Sequence, residues 1–92
     1  MTVTVRVPTP LRKAAGGNRD VSASGATVTG VIEDLERQFP GFRERLVDET
    51  GGLRRFINIY INGEDIRFAQ GVETPLKSGD ELSIIPAVSG GG

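Results

Sequence analysis

The spacing of apolar residues changes twice along this chain, and that change limits the possible folds more than any other feature. In the segment 3–7, valine occupies every second position, which is typical of a β-strand that buries one face. The spacing becomes helical over 28–39, with charged residues on the opposite side, and alternation returns over 56–61. A chain with this order is expected to pack one amphipathic helix against a sheet.

The element order follows from these segments and from the turn residues between them. In the first half we predict two strands, at 3–7 and 20–23, joined by a hairpin connection over 11–18. A helix over 28–39 should follow, beginning after Thr27 and ending at Pro40-Gly41. Phe42 and Leu46 indicate a further helical turn or two. In the second half we predict a loop over 48–55, a strand over 56–61, an Asn62-Gly63 hairpin turn, a short strand at Ile66 and Phe68, a polar turn over 76–81 and a last strand over 82–86.

The two faces of the predicted sheet differ in character. The predicted core consists of the inward positions of the strands and the helix: Val3, Val5, Val7, Val21, Val31, Ile32, Leu35, Ile57, Ile59, Ile61, Leu82 and Ile84. Alternation places Phe56, Asn58, Tyr60 and Ile85 on the opposite face. These residues either form an exposed docking surface or are covered by the loops around Arg12 and Arg54.

Composition excludes several classes of function. A chain of 92 residues is expected to form one domain, which we place at 1–88, with a glycine tail at 89–92. Cysteine and histidine are both absent, which excludes disulfides, thiolate nucleophiles and imidazole bases and argues against a bound metal. The formal net charge of −1 argues against nucleic acid or an anionic membrane as the partner. Without an apolar leader or a membrane-spanning stretch, we expect a cytoplasmic protein.

The remaining charged residues have two interpretations. Acidic clusters such as Glu33, Asp34 and Glu36 are usually solvated surface. The arginines Arg43, Arg45, Arg54 and Arg55 are also expected to be solvated, although arginine is well suited to docking an acidic partner or a phosphate.

The sequence ends on Ser89-Gly90-Gly91-Gly92, directly after the apolar strand. Glycine has no Cβ, so such a tail can pass through a channel too narrow for side chains. The tail would then present the carboxylate of Gly92 inside another protein's active site. The alternative is an incidental terminus with no chemical role.

Three parts of the sequence together resemble the ubiquitin-like sulfur carriers: the segment 56–68, the segment 79–88 and the glycine tail. That family includes the small subunit of molybdopterin synthase and the thiamine-thiazole sulfur carrier, and the segment 58–62 is most similar to the carriers of cysteine biosynthesis. The resemblance implies an α+β fold of the β-grasp type. In this fold one main helix packs on a mixed sheet of about five strands, with the first and last strands paired at its centre.

The resemblance also implies partners and residue roles. An E1-like adenylyltransferase and sulfurtransferase, using ATP and Mg²⁺, would convert the Gly92 carboxylate to a thiocarboxylate, so that this chain is a carrier and co-substrate and not an enzyme. In the cysteine branch the sulfur would pass to a PLP-dependent O-phosphoserine sulfhydrylase, and a JAMM-type zinc metalloprotease would release the product. Two sets of residues would contact these partners: Gly90 and Gly91 by threading, and Phe56, Tyr60, Ile85 and Val88 by docking.

This chain departs from the family pattern, which ends in two glycines, because it ends in three. Either Gly92 is activated directly or it is removed to expose Gly91. The sequence also leaves open the molybdopterin synthase subunit, the thiamine-thiazole carrier, a ubiquitin-like covalent modifier and a non-covalent binding module.

Overall fold

A computed structural model describes residues 2–86 of the chain. Its strands are β1 (Thr2–Arg6), β2 (Asp20–Ser24), β3 (Ile57–Ile61), β4 (Glu64–Asp65) and β5 (Glu81–Pro86). Its α-helices are α1 (Val28–Gln38) and α2 (Arg43–Leu46), and three short 3₁₀ helices are η1 (Thr9–Ala15), η2 (Ile66–Phe68) and η3 (Gly71–Glu73).

The five strands form one mixed sheet in the order β2-β1-β5-β3-β4. Strands β1 and β2 form an antiparallel hairpin, whereas β1 and β5 run parallel at the centre of the sheet. Strand β5 is also antiparallel to β3, with Ile59 opposite Ile84. The predicted β-grasp fold and its central pairing of first and last strands are therefore confirmed.

Helix α1 forms because its apolar residues recur along one face while its first turn has a side-chain cap. The Thr27 hydroxyl accepts the N–H of Gly30 at 3.2 Å, as predicted for an N-cap. Four residues of the helix are fully buried against the sheet: Val28, Val31, Ile32 and Leu35. The helix ends at Gln38, one residue before the predicted end, and Phe39 at its C-cap is only partly buried.

The core contains the predicted residues with one exception and several additions. Ile61 is only partly buried, packed at the margin of the core. The buried residues not predicted for the core are Leu11, Ala15, Ala23, Val28, Phe42, Leu46, Val47, Ile66 and Leu76. Phe42 and Leu46 are among the largest fully buried side chains, so the predicted helical turn, α2, packs into the core.

The predicted strand at Ile66 and Phe68 is wrong. Strand β4 ends at Asp65, and its carboxylate accepts the N–H of Arg67 at 2.9 Å, so the chain turns into the 3₁₀ helix η2 instead of continuing the ladder. Ile66 is therefore buried while Phe68 is 83% exposed, whereas one strand would place both on the same face. The connection over 11–18 also contains an element that was not predicted, because η1 buries Leu11 and Ala15.

The turn between β3 and β4 is the predicted one. Asn62 and Gly63 have φ angles of 51° and 88°, as a type I′ hairpin turn requires. Asn62 also ties the turn to β5, because its side-chain oxygen accepts the N–H of Glu81 at 3.0 Å. None of the helices described between residues 2 and 86 is long and apolar enough to cross a membrane.

Candidate functional site

Strand β5 fixes the point from which the predicted tail continues. It lies between β1 and β3, and its last residue, Pro86, is opposite Ile57. A strand with hydrogen-bonded neighbours on both sides is held more firmly than an edge strand. The predicted tail residues Gly90, Gly91 and Gly92, and the predicted docking residue Val88, lie outside the described residues.

Two of the predicted docking residues lie on the outer face of the sheet, away from α1. Tyr60 is opposite Ser83 and Asn58 is opposite Ile85, so Tyr60 and Ile85 are diagonal neighbours within reach of an aromatic side chain. Ile85 is 44% exposed and Tyr60 is partly buried. The neighbouring strand makes this face more polar, because Arg6 and Glu81 form an ion pair at 3.2 Å.

Phe56 lies at the end of the sheet, one residue before β3, and is 53% exposed. It lines a groove of about 290 Å³ together with Leu11, Arg45, Arg54 and Pro86. We call this the tail-end groove, because Pro86 precedes the predicted tail at 89–92 by only a few residues. Neither Phe56 nor Ile85 is covered, so the loops around Arg12 and Arg54 do not enclose the surface that these two residues form with the sheet.

Hydrogen bonds hold the walls of the tail-end groove in place. The Nε of Arg54 donates to the carbonyl of Glu44 at 2.7 Å, and its backbone N–H donates to the carbonyl of Leu46 at 2.9 Å. The Nε of Arg12 donates to the carbonyl of Val7 at 3.1 Å, which ties η1 to the residue that follows β1. The groove is therefore a formed feature of the fold and not a gap between loose loops.

Two carboxylates on α1 have lowered pKa values because they accept hydrogen bonds that stabilise the fold. The N–H of Ser24, with help from Gln38 and Arg37, holds the pKa of Asp34 below its usual range. The N–H groups of Gly41 and Arg43 lower the pKa of Glu36 in the same way. These residues, expected to be merely solvated, thus accept backbone N–H groups and stay ionised at neutral pH.

One carboxylate is enclosed by the protein. Asp65 is the only buried charged residue in the described part of the chain, and the Arg67 guanidinium lies 2.8 Å from it. The side chain and then the backbone N–H of Arg67 lower the pKa of Asp65. Residues 2–86 bring together no group of three acidic side chains that could hold a metal ion.

Sequence reasoning missed that Leu11, Arg45 and Phe56 form one groove. These residues are far apart in the sequence and come from η1, α2 and the approach to β3. The apolar pair Leu11 and Ala15, four residues apart between Pro10 and Gly16, was the available signal for a helical segment there.

A five-stranded mixed sheet with parallel first and last strands at its centre, and one main helix on one face, defines a ubiquitin-like β-grasp protein. The sequence profile described as the ThiS family matches residues 5–91. The chain belongs to this family of ubiquitin-like sulfur carriers, as its sequence motifs predicted.

Individual relatives agree with this assignment. The chain is 52% identical over 93 residues to a protein of Mycobacterium tuberculosis named "Sulfur carrier protein CysO", with 99% of this chain and 100% of the relative covered. A chain in the crystal structure of the Amycolatopsis orientalis BexX/CysO complex superposes with a TM-score of 0.90 at 50% identity, covering 95% of this chain and 97% of that one. Small archaeal modifier protein 1 of Methanosarcina acetivorans superposes with a TM-score of 0.81 at 37% identity, covering 96% and 94%.

Proposed function

We propose that this chain carries sulfur as a thiocarboxylate on the terminal carboxylate of Gly92 and delivers it for cysteine biosynthesis. The observation that carries the proposal is 52% identity, over the whole of both chains, to relatives named sulfur carriers. The glycine tail after a central strand supports the same chemistry, since a chain without cysteine or histidine has no side chain of its own to hold sulfur.

The loading chemistry takes place in two steps on a partner, an E1-like adenylyltransferase and sulfurtransferase. First, an oxygen of the Gly92 carboxylate attacks the α-phosphorus of Mg²⁺-bound ATP, forming an acyl adenylate and releasing pyrophosphate. A hydrosulfide or persulfide sulfur then attacks the acyl carbon, and the bond to AMP breaks. With hydrosulfide the products are a thiocarboxylate, AMP and a proton, and with a persulfide a reductant of the thiol class must cleave the remaining sulfur–sulfur bond.

The contribution of this chain is to position one carboxylate. The proposed threading residues are Gly90 and Gly91, and the proposed docking residues are Phe56, Tyr60, Ile85 and Val88. Docking the folded domain converts an encounter between two molecules into a reaction within one complex, which raises the effective concentration of the carboxylate at the ATP site. The carrier is a co-substrate in this scheme and requires no catalytic side chain.

The proposed acceptor reaction follows from the cysteine branch of the family. The thiocarboxylate sulfur would attack an aminoacrylate formed from O-phosphoserine on a PLP-dependent sulfhydrylase. The resulting thioester would rearrange to an amide, which a JAMM-type zinc metalloprotease hydrolyses to cysteine and the free carrier. Cytoplasmic location is part of this proposal, because the substrates are intracellular metabolites.

Intact-mass spectrometry after incubation with the adenylating enzyme, ATP, Mg²⁺ and a sulfide donor tests the loading step. The full chain should gain mass by the replacement of one oxygen with sulfur. A variant that lacks Gly91 and Gly92 should remain folded and gain no sulfur. If a glycine is lost before sulfur appears, Gly91 and not Gly92 is the activated residue, and if the full chain is never loaded the proposal is wrong.

The similarity to an archaeal modifier protein supports a second candidate, covalent attachment of this chain to other proteins. The adenylated Gly92 would then react with a lysine amine instead of a sulfur donor. Peptide mass spectrometry of a cell lysate would detect isopeptide bonds to the terminal glycine. Sulfur loading with no such bonds would exclude this candidate.

A further inference from the structure

The tail-end groove combines an apolar floor with positive charge at its rim. Leu11, Phe56 and Pro86 supply apolar surface, and Arg45 and Arg54 stand beside it. Its position matters because Pro86 is only three residues before Ser89, where the predicted tail begins. Any protein that accommodates the tail must pass within a few residues of this groove.

Neither of the two rim arginines forms an ion pair with a carboxylate of the described residues. The four ion pairs of residues 2–86 join a nitrogen and a carboxylate oxygen that lie within 4.0 Å of each other. Neither Arg45 nor Arg54 has a carboxylate oxygen of this region within that distance. Arg45 is exposed on the four-residue helix α2. The hydrogen bond from Arg54 to Glu44 restricts that side chain before any partner binds.

Charge is unevenly distributed around the fold. The segments 7–20 and 43–56, which provide most of the groove, hold seven of the eleven basic residues and only four of the twelve acidic ones. Two of those acids, Asp48 and Glu49, line a separate depression on another side of Arg54, so Arg45 is the less compensated cation. The remainder of the chain is correspondingly acidic. The end of the molecule that offers the tail is therefore the positive end.

We propose that the tail-end groove receives an apolar side chain flanked by carboxylates on the enzyme that activates the tail. This inference rests on the proposed function and deepens it by giving the chemistry of the docking partner. An apolar contact in the groove provides affinity, while paired charges at the rim select the partner and orient it. Because the groove adjoins Pro86, binding of the partner there would also orient the tail toward the partner's ATP site.

The test compares two charge reversals that change the net charge equally. R45E alters the rim of the groove, and K77E alters an exposed lysine in the turn before β5, at the opposite end of the sheet. The assay is kcat/KM for the carrier with the adenylating enzyme, ATP and Mg²⁺, measured at low and at high salt. We expect R45E to lower kcat/KM roughly three- to tenfold at low salt, with the deficit shrinking at high salt, as for other rim charges that steer association.

The low-salt condition is set at about 0.1 M, where the Debye length is about 10 Å. K77E should then stay within about twofold of the wild type at both salt concentrations, since the six-residue strand β5, about 20 Å long, separates Lys77 from the groove. The variant R45K, which keeps the charge, should recover most of the lost activity. Equal rates for R45E and K77E, with normal loading of the wild type, would overturn the inference and leave the proposed function standing. A wild-type carrier that is never activated would overturn both.

Discussion

Replacing Phe56 by alanine should weaken binding of the carrier to its activating enzyme. The change removes an aromatic ring that is 53% exposed at the end of the sheet, beside Pro86. A phenylalanine can bury about 200 Å², so about 100 Å² of Phe56 is available for a partner to cover. At about 25 cal/mol per Å², complete coverage contributes about 2.5 kcal/mol to binding.

That energy gives the expected size of the effect. Since about 1.4 kcal/mol corresponds to a tenfold change in an equilibrium constant, F56A should raise the Kd by up to about 60-fold, and by about 8-fold if the partner covers half of the exposed ring. Titration calorimetry with the adenylating enzyme measures the Kd directly. The buried half of the ring also stabilises the fold, so the titration must be run well below the melting temperature of the variant.

The chain provides a matched control in Phe68, which is 83% exposed on η2. F68A removes the same ring from η2, which directly follows the edge strand β4. It should leave the Kd within about twofold, because isolated exposed apolar residues are common and need no partner. Equal Kd values for F56A and the wild type, or an equal loss in F56A and F68A, would refute the assignment of the docking surface.

Two further predictions concern the fold. A Cβ at residue 25 would lie 2.5 Å from the backbone nitrogen of Val31, so G25A should lower the free energy of unfolding in urea by about 2–3 kcal/mol as β2 and α1 separate. By contrast G52A, whose Cβ would have only the Thr50 hydroxyl at 3.6 Å, should change it by less than about 0.5 kcal/mol. The folded-state pKa of Asp34 lies below its ordinary value of 3.8, so its stabilisation is present above about pH 4 and lost as pH falls through the folded value. The stability difference between wild type and D34N should therefore shrink during acid titration followed by circular dichroism, and a difference that grows would contradict this reasoning.

The sequence predicted correctly those elements in which the spacing of apolar residues follows from the burial of one face. Strand β1 and helix α1 follow their patterns because each has one face on the core. The end of strand β4 could not be predicted in this way, because it is determined by a hydrogen bond to a side chain. The Asp65 carboxylate accepts the N–H of Arg67, and this capping bond competes with the ladder and turns the chain, although Ile66 and Phe68 have the spacing of a strand.

The candidate site was only partly predictable. Tyr60 and Ile85 could be assigned to the outer face, because alternation within a strand determines the face of each residue. The tail-end groove forms where η1, α2 and the approach to β3 meet at one end of the sheet. The periodicity of apolar residues within one element cannot predict that Leu11 lies near Arg45 or Phe56. The tail itself was recognised from composition, and its part in the chemistry stays a prediction.

The central claim is that the terminal carboxylate of this chain carries sulfur. The most direct test is intact-mass and fragment-ion analysis of the protein purified from its own cells under conditions that preserve thiocarboxylates. A fraction of the molecules should carry sulfur in place of one terminal oxygen, and a cysteinyl adduct should be found at the same carboxylate if cysteine is the product. A population that consists only of unmodified carboxylate, in cells that are making cysteine actively, would contradict this claim.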